Sequence, residues 1–539
     1  MNDVSHNDEF VALWSSPTTR RDLLRGAGLG AGALAAGGLL SACGSTRGSA
    51  AVAPKAGGNF PAAMANSFTG LNVGVSPTVG GVDVVEFWGG RLYRISPFPP
   101  RGEITPELAT EMPREVSTNT FRIKLAEGVT FHNGQPFTAE DVVYTLGYVN
   151  DPKNASFFAQ FLSIVKAKAV GPHELELTLS TPTALLAERL ALVPITPKGI
   201  GPKSIDRKPV GTGPYRVVSV VSGRRVRLEK FEKYTGKRPP TYDALDTSVV
   251  TDANARVSGL RTGQFRAIEN VPGSAFKQLS GSNGVKDNAV DSWAWTALYF
   301  NCAKPPFNDA KARQAILYAI DRDSITKSSY FGLAEAAWSG FVSPSHPEYV
   351  QPNTVYRFDP DHAKQLLSAA GVTPGTAIDV LVPSDVDFVS SQGPVVEQNL
   401  RDVGLKPNMV PGETLAGFSR MAKGDFSLNL GGAADLSIFA SSLTFLMKFS
   451  FTGPVPTTYA HWTAREAEQL AKLLSDADAL PSSQDAKRTA MLAQAQNLIQ
   501  DQVPIAAIHH PKQLTGWSEK LHGFRPLPYT GFHLDGVRG

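Results

Sequence analysis

Beyond residue 58 the apolar positions switch repeatedly between the two-residue spacing of a half-buried strand and the three-to-four-residue spacing of a helix face. Thr120 to Leu125 alternates and predicts a strand, Gly128 turns it, Val129 to His132 resume it, and Asn133-Gly134 predicts a hairpin. A helix follows. Thr138-Ala139-Glu140-Asp141 reads as a capping box with Asp in place of Glu, Ala139, Val142, Val143 and Leu146 share one face, and Asp151-Pro152 ends it. Strands are predicted at Glu174 to Leu179 and at Tyr215 to Val221, the latter after the turn Gly211-Thr212-Gly213-Pro214.

After Trp293 to Asn301 the pattern turns helical, and a second lobe is expected to begin there. Asp309 to Lys327 predicts one helix with Ala312, Ala315, Ile316, Ala319 and Ile320 inward. Asp359-Pro360 opens another that buries Ala363, Leu366, Leu367 and Ala370 before Gly371. Residues 378 to 430 then read β-α-β-α-β, a parallel unit built by crossovers. Ligands of open α/β sheets bind beyond the carboxyl ends of the strands, which selects Pro383-Ser384-Asp385 and Gly431-Gly432-Ala433-Ala434-Asp435. Thr463 to Glu466 reads as a capping box, opening a helix with Ala467, Leu470, Ala471 and Leu474 inward. Val503 to His509 predicts an apolar strand returning to the first lobe. The fold class is α/β.

The N-terminus carries an address. Thr19-Arg20-Arg21-Asp22-Leu23-Leu24, the uncharged run Gly26 to Leu40, and Leu40-Ser41-Ala42-Cys43-Gly44 look like a twin-arginine export signal ending in a lipobox. The run is shorter than the roughly 20 residues a bilayer core needs, so it is read as a signal and not a span. Cys43 is then the lipidated residue, and the Ser, Thr, Ala, Pro and Gly of residues 44–57 form a flexible tether. Gly26 to Gly30 follows twin arginines and no strand, which excludes a dinucleotide loop.

Composition narrows the rest. The 52 Lys and Arg nearly balance the 49 Asp and Glu, so charge names no nucleic-acid partner. Two cysteines, Cys43 and Cys302, give no disulfide framework or Cys-only metal site. Cys302 reads as a small apolar filler on a buried strand. No G-x-S-x-G and no H-E-x-x-H occurs, and His173-Glu174 has Leu177 where a second histidine would be needed. The ten histidines show no ligand spacing beyond His509-His510, whose side chains diverge on a strand; no metal and no cofactor is expected.

Thr120 to Tyr144, with Pro106 to Ala109, Gly211 to Tyr215, Pro306 to Asp309 and Phe358 to Pro360 in the same order, resembles the solute-binding proteins of ABC importers for oligopeptides, dipeptides and nickel. The resemblance implies a two-lobed periplasmic-binding-protein-like fold of type II with an extra subdomain inserted in the first lobe. Its expected divisions are a signal peptide (1–43), a tether (44–57), lobe I (58–295) with an insertion about 81–209, lobe II (296–500), and a return to lobe I (501–539).

It further implies no catalysis, a small-molecule or short-peptide ligand, ABC permease subunits as partners, and a monomer lipid-anchored on the extracytoplasmic face. Peptide binders of this type hold the ligand's α-ammonium on an aspartate at the place of Asp435, while its main chain pairs like an added strand. Gly432 stands where an aromatic is expected, and Gly431 with Gly432 opens room for a bulkier or non-peptide ligand such as haem, a sugar or a nickel complex. Trp293 and Trp295 flank the lobe crossing, where alternation puts both indoles on one surface, in the cleft or in the core. The rival readings from other classes are an exported hydrolase and a surface adhesion or chaperone role.

Overall fold

The computed structural model describes residues 57–539 except 69, 75–78, 99–101, 155, 385, 433–441 and 454. The expectations for the signal, Cys43, most of the tether, Asp385 and Asp435 lie outside the described residues.

Two large sheets organise the chain. In the seven-stranded one the order is Val285–Val290, Gln513–Ser518, Ala267–Ile268, Asn59–Met64, Ala244–Val249, Arg225–Lys230, Tyr215–Val221. In the six-stranded one it is Ala334–Ala336, Ile505–Pro511, Thr296–Phe300, Leu428–Gly432, Ala377–Pro383, Lys406–Gly412. The predicted β-α-β-α-β unit is present: Ala377–Pro383 runs parallel to both Lys406–Gly412 and Leu428–Gly432, with helices Gly393–Asp402 and Thr414–Ala422 between them.

Between Asn59–Met64 and Tyr215–Val221 the chain builds two smaller sheets, Tyr93–Ile95 with Ile104–Pro106, and a four-stranded one ordered Arg114–Ser117, Thr120–Lys124, Glu174–Leu179, Val165–Gly171. Helix Ala139–Asn150 packs on this sheet. It starts where the capping box predicts, with the Thr138 N–H donating to Asp141 Oδ2 at 2.8 Å. Helix Val79–Trp88 puts Val84, Val85, Phe87 and Trp88 into the core of the seven-stranded sheet. The separate sheets therefore begin at Tyr93, later than the expected start of the insertion at about residue 81.

Three further expectations are corrected. Asp309 to Lys327 is two helices, Ala310–Ala319 and Arg322–Ser328, because Asp321 caps the second by accepting from the Ser324 N–H at 2.9 Å. Helix Arg465–Asp478 has no side-chain N-cap, and its buried stripe is Leu470, Leu474 and Ala477 while Ala471 is exposed. Ile505–Pro511 belongs to the six-stranded sheet, so the segment from 501 does not itself return to the first lobe. The crossing falls at Lys512, and Gln513–Ser518 is the strand that returns. An apolar run satisfies either sheet; only its long-range pairing with Thr296–Phe300 decides.

Candidate functional site

The two large sheets are joined by two chain crossings, and these lie side by side. Residues 291–295 lead from Val285–Val290 into Thr296–Phe300, and Lys512 leads from Ile505–Pro511 back into Gln513–Ser518. The Ser292 hydroxyl donates to the Pro511 carbonyl, and Lys512 Nζ donates to Asp291 Oδ1 at 2.7 Å. His510 sets its ring nitrogens 3.3 Å from the carbonyl oxygens of Ala294 and Gly340. Two short adjacent connections between rigid sheets form a hinge.

The hinge fixes which edge of the six-stranded sheet faces the first lobe. Thr296, the first residue after the crossing, pairs with Gly432, the last residue of its antiparallel neighbour. Strand Leu428–Gly432 therefore ends beside the first lobe, and its parallel neighbour Ala377–Pro383 ends at the same edge. Ser384 stands there exposed, its N–H donating to the Gly412 carbonyl at 2.7 Å. Gly431, Gly432 and Ser384 are thus gathered at one edge, and the chain continues from Gly432 towards Asp435.

The two glycines differ. A Cβ on Gly431 would come within 3.0 Å of Asn429 Nδ2 and 3.3 Å of the Tyr299 ring, whereas one on Gly432 meets nothing within 4 Å among the described residues. Gly431 lets a neighbouring strand pack closely, and Gly432 is not packed against any described residue.

Trp293 and Trp295 are both buried. Trp293 packs on His346, with ring centroids 4.7 Å apart; Trp295 lies parallel to Phe451 at 6.1 Å and beside Phe341 at 5.9 Å. They sit in the core behind the hinge. Both precede the first strand residue, Thr296, so the alternation of a strand does not apply to them.

His509 and His510 point apart, His509 reaching the Arg322 carbonyl at 2.8 Å. Burial pushes the pKa of His509 down to about 3 and that of His510 to about 4, and hydrogen bonds to carbonyls only partly oppose this. Among the described residues no cluster of three or more His, Cys, Asp or Glu is placed to hold a metal ion. Cys302 is half-buried just beyond its strand, its thiol 3.7 Å from the Phe300 carbonyl and its pKa pushed up to about 11 by burial. It fills space, and burial disfavours its thiolate.

Some structure beneath this edge left no local mark in the sequence. Gln392 Nε2 donates to the Tyr330 hydroxyl at 2.8 Å, and the Tyr330 ring packs on His509 at 5.1 Å. Arg322, fully buried, donates to the Leu317 carbonyl and lies over the Trp338 ring at 4.9 Å. Leu317 aside, these partners come from separate strands, helices and loops, so no local spacing encodes them.

Two α/β lobes hinged by paired crossings, with parallel strands ending at the seam, define a two-lobed binding protein. Residues 103–453 match the family "Bacterial extracellular solute-binding proteins, family 5 Middle", and the chain belongs to it. It is a substrate-binding protein of the ABC-importer type that acts outside the cytoplasm, and its homologues are solute binders, not enzymes. The glutathione-binding protein GsiB of Escherichia coli K12 is 26% identical over 428 residues, covering 77% of this chain and 82% of that protein.

Among solved structures, the dipeptide binding protein of Pseudoalteromonas sp. SM9913 in complex with Met-Leu is similar in fold. It has TM-score 0.76 and 21% identity, and the match covers 89% of this chain and 100% of that one. AgaA of A. tumefaciens R10 in complex with agropinic acid is similar too, with TM-score 0.75 and 23% identity over 88% and 96% of the chains. Among the described residues no helix is long and apolar enough to cross a membrane.

Proposed function

We propose that the chain captures short peptides or peptide-like solutes by closing its two lobes over them, and delivers them unchanged to the transmembrane subunits of an ABC permease. The observation that carries this is the Thr296–Gly432 pairing, which sets the carboxyl ends of the parallel strands against the first lobe. In this reading Asp435, three residues past that edge, accepts the ligand's α-ammonium. A desolvated ammonium needs a charged acceptor. Backbone groups near Gly431, Gly432 and Ser384 pair with the ligand main chain, which tolerates many side chains.

A relative named for glutathione and a similar fold holding Met-Leu support the peptide class. A second reading, a non-peptide solute, is favoured by the lack of packing on Gly432 among the described residues and by the similar fold holding agropinic acid. Residues 1–43 are assigned to a twin-arginine signal, Cys43 to a lipid anchor and 44–57 to a tether on a monomeric receptor. A Cys43→Ser change is expected to release the protein from the membrane fraction.

Calorimetric titration of residues 57–539 with Met-Leu, glutathione, a nickel–histidine complex, haem and sugars tests the ligand class. Saturable binding of the free-amine peptides, recovered unaltered, is the expected result. Binding of a non-peptide alone selects the second reading, and conversion of any ligand to product sinks both.

A further inference from the structure

The largest apolar cluster of the molecule runs without a break from the inserted subdomain into the second lobe. At the join Phe161 meets Phe445 with ring centroids 4.9 Å apart, and Phe157 meets Phe449 at 5.3 Å. At this contact lies the carboxylate of Asp478, almost wholly buried. Its Oδ2 accepts from Arg189 Nη2 and from Lys448 Nζ, and its Oδ1 accepts from the Thr183 hydroxyl at 2.8 Å. Arg189 is itself buried, donates to the Phe161 carbonyl and lies over the Phe445 ring at 5.0 Å.

Three features set this cluster apart from an ordinary ion pair. Asp478 is the last residue of helix Arg465–Asp478, where the helix dipole disfavours a negative charge. The helix therefore does not explain the carboxylate, and its two cations do. The partners also divide by body. Lys448, on helix Leu443–Phe451, and Asp478 belong to the second lobe, whereas Arg189 and Thr183 belong to the inserted subdomain. Finally, the burial differs: the Lys448 side chain keeps 25% of its exposure and Arg189 only 3%. Lys448 thus keeps contact with solvent while it holds the carboxylate, and Arg189 does not.

We propose that Asp478 is a latch across the seam, preset on the second lobe by Lys448, which engages Arg189 and Thr183 of the inserted subdomain and sets how long the closed form lasts. This rests on the reading that the lobes open and close. When the faces part, Asp478 keeps Lys448 and Arg189 gains water. When they meet, one carboxylate receives all three donors, and removing a single partner of such a cluster leaves an uncompensated buried group.

Hydrogen–deuterium exchange of the ligand-free full chain tests the latch and needs no ligand. Asp478→Asn is expected to speed amide exchange at least tenfold in Leu186–Leu190 and Leu443–Phe451, with the seven-stranded sheet unchanged. Thr183→Val, nearly isosteric and expected to fold, should do the same by a few-fold. Selective acceleration in those two segments supports the latch. Wild-type exchange there, or acceleration spread evenly over the chain in both variants, overturns it. A wild-type chain that binds peptide and compacts while Thr183→Val exchanges normally would remove the latch and leave lobe closure standing.

Discussion

The Ser292 hydroxyl donates a hydrogen bond to the Pro511 carbonyl, 219 positions away in sequence. It ties the outgoing chain crossing to the returning one, so the two sheets are joined by a paired connection rather than by one linker. Removing one partner of a buried hydrogen bond costs about 1 kcal/mol, more when the acceptor is left unsatisfied. Ser292→Ala is therefore expected to lower stability by ~1 kcal/mol in urea unfolding and to change ligand affinity less than stability. A larger loss of affinity than of stability would mean that Ser292 faces the ligand.

The two glycines at the end of Leu428–Gly432 separate packing from binding. Gly431→Ala puts a methyl against Asn429 and Tyr299 and is expected to cost about 1–3 kcal/mol, as overpacking of a closed site does. Gly432→Ala meets no neighbour among the described residues and is expected to leave stability within about 0.5 kcal/mol while altering ligand affinity. Paired urea unfolding and titration of the two variants check this, and equal effects on stability would contradict it.

Asp435→Asn keeps the size of the side chain and removes its charge. It is expected to weaken peptides with a free amine by about 1–3 kcal/mol, the worth of a charged hydrogen bond, and to spare N-acetylated peptides. Titration with a dipeptide and its acetylated form measures the difference. Identical affinities in wild type and variant would take Asp435 out of the site.

The buried histidines beside the returning crossing are expected to make the protein acid-sensitive. His509 and His510 have pKa values depressed to about 3 and about 4, from an ordinary 6.5, because burial disfavours their charged forms. A depressed pKa gives stability that is fully present above about 6.5 and is lost as pH falls towards the folded value. Each histidine is expected to withdraw ~2 kcal/mol at pH 5. Urea unfolding of the wild type and of His510→Gln at pH 7.5 and pH 5 reads this: the wild type should lose more than the variant. Equal losses would show that His510 titrates normally.

How much of this was legible in the sequence depended on how local the cause was. Helix Ala139–Asn150 and the β-α-β-α-β unit followed from caps and periodicity, because those signals lie within a few residues of what they specify. The position of Ser384 and the glycines was pointed to by a rule about strand ends, and the structure gathers them at one edge. Asp321 stopped a helix that apolar spacing alone would have continued. The two tryptophans were given strand geometry although they precede the strand. Ile505–Pro511 went to the wrong sheet, since a strand buried on both faces reads alike in either. Asp478 and Arg189 lie 289 residues apart and had no signature, for no spacing can encode a contact between two lobes.

Small-angle scattering of residues 57–539 with and without saturating Met-Leu or glutathione measures whether the lobes close on a ligand. A smaller radius of gyration is expected in the bound form as the lobes close about the paired crossings. Saturation of the protein with an unchanged radius of gyration would contradict it.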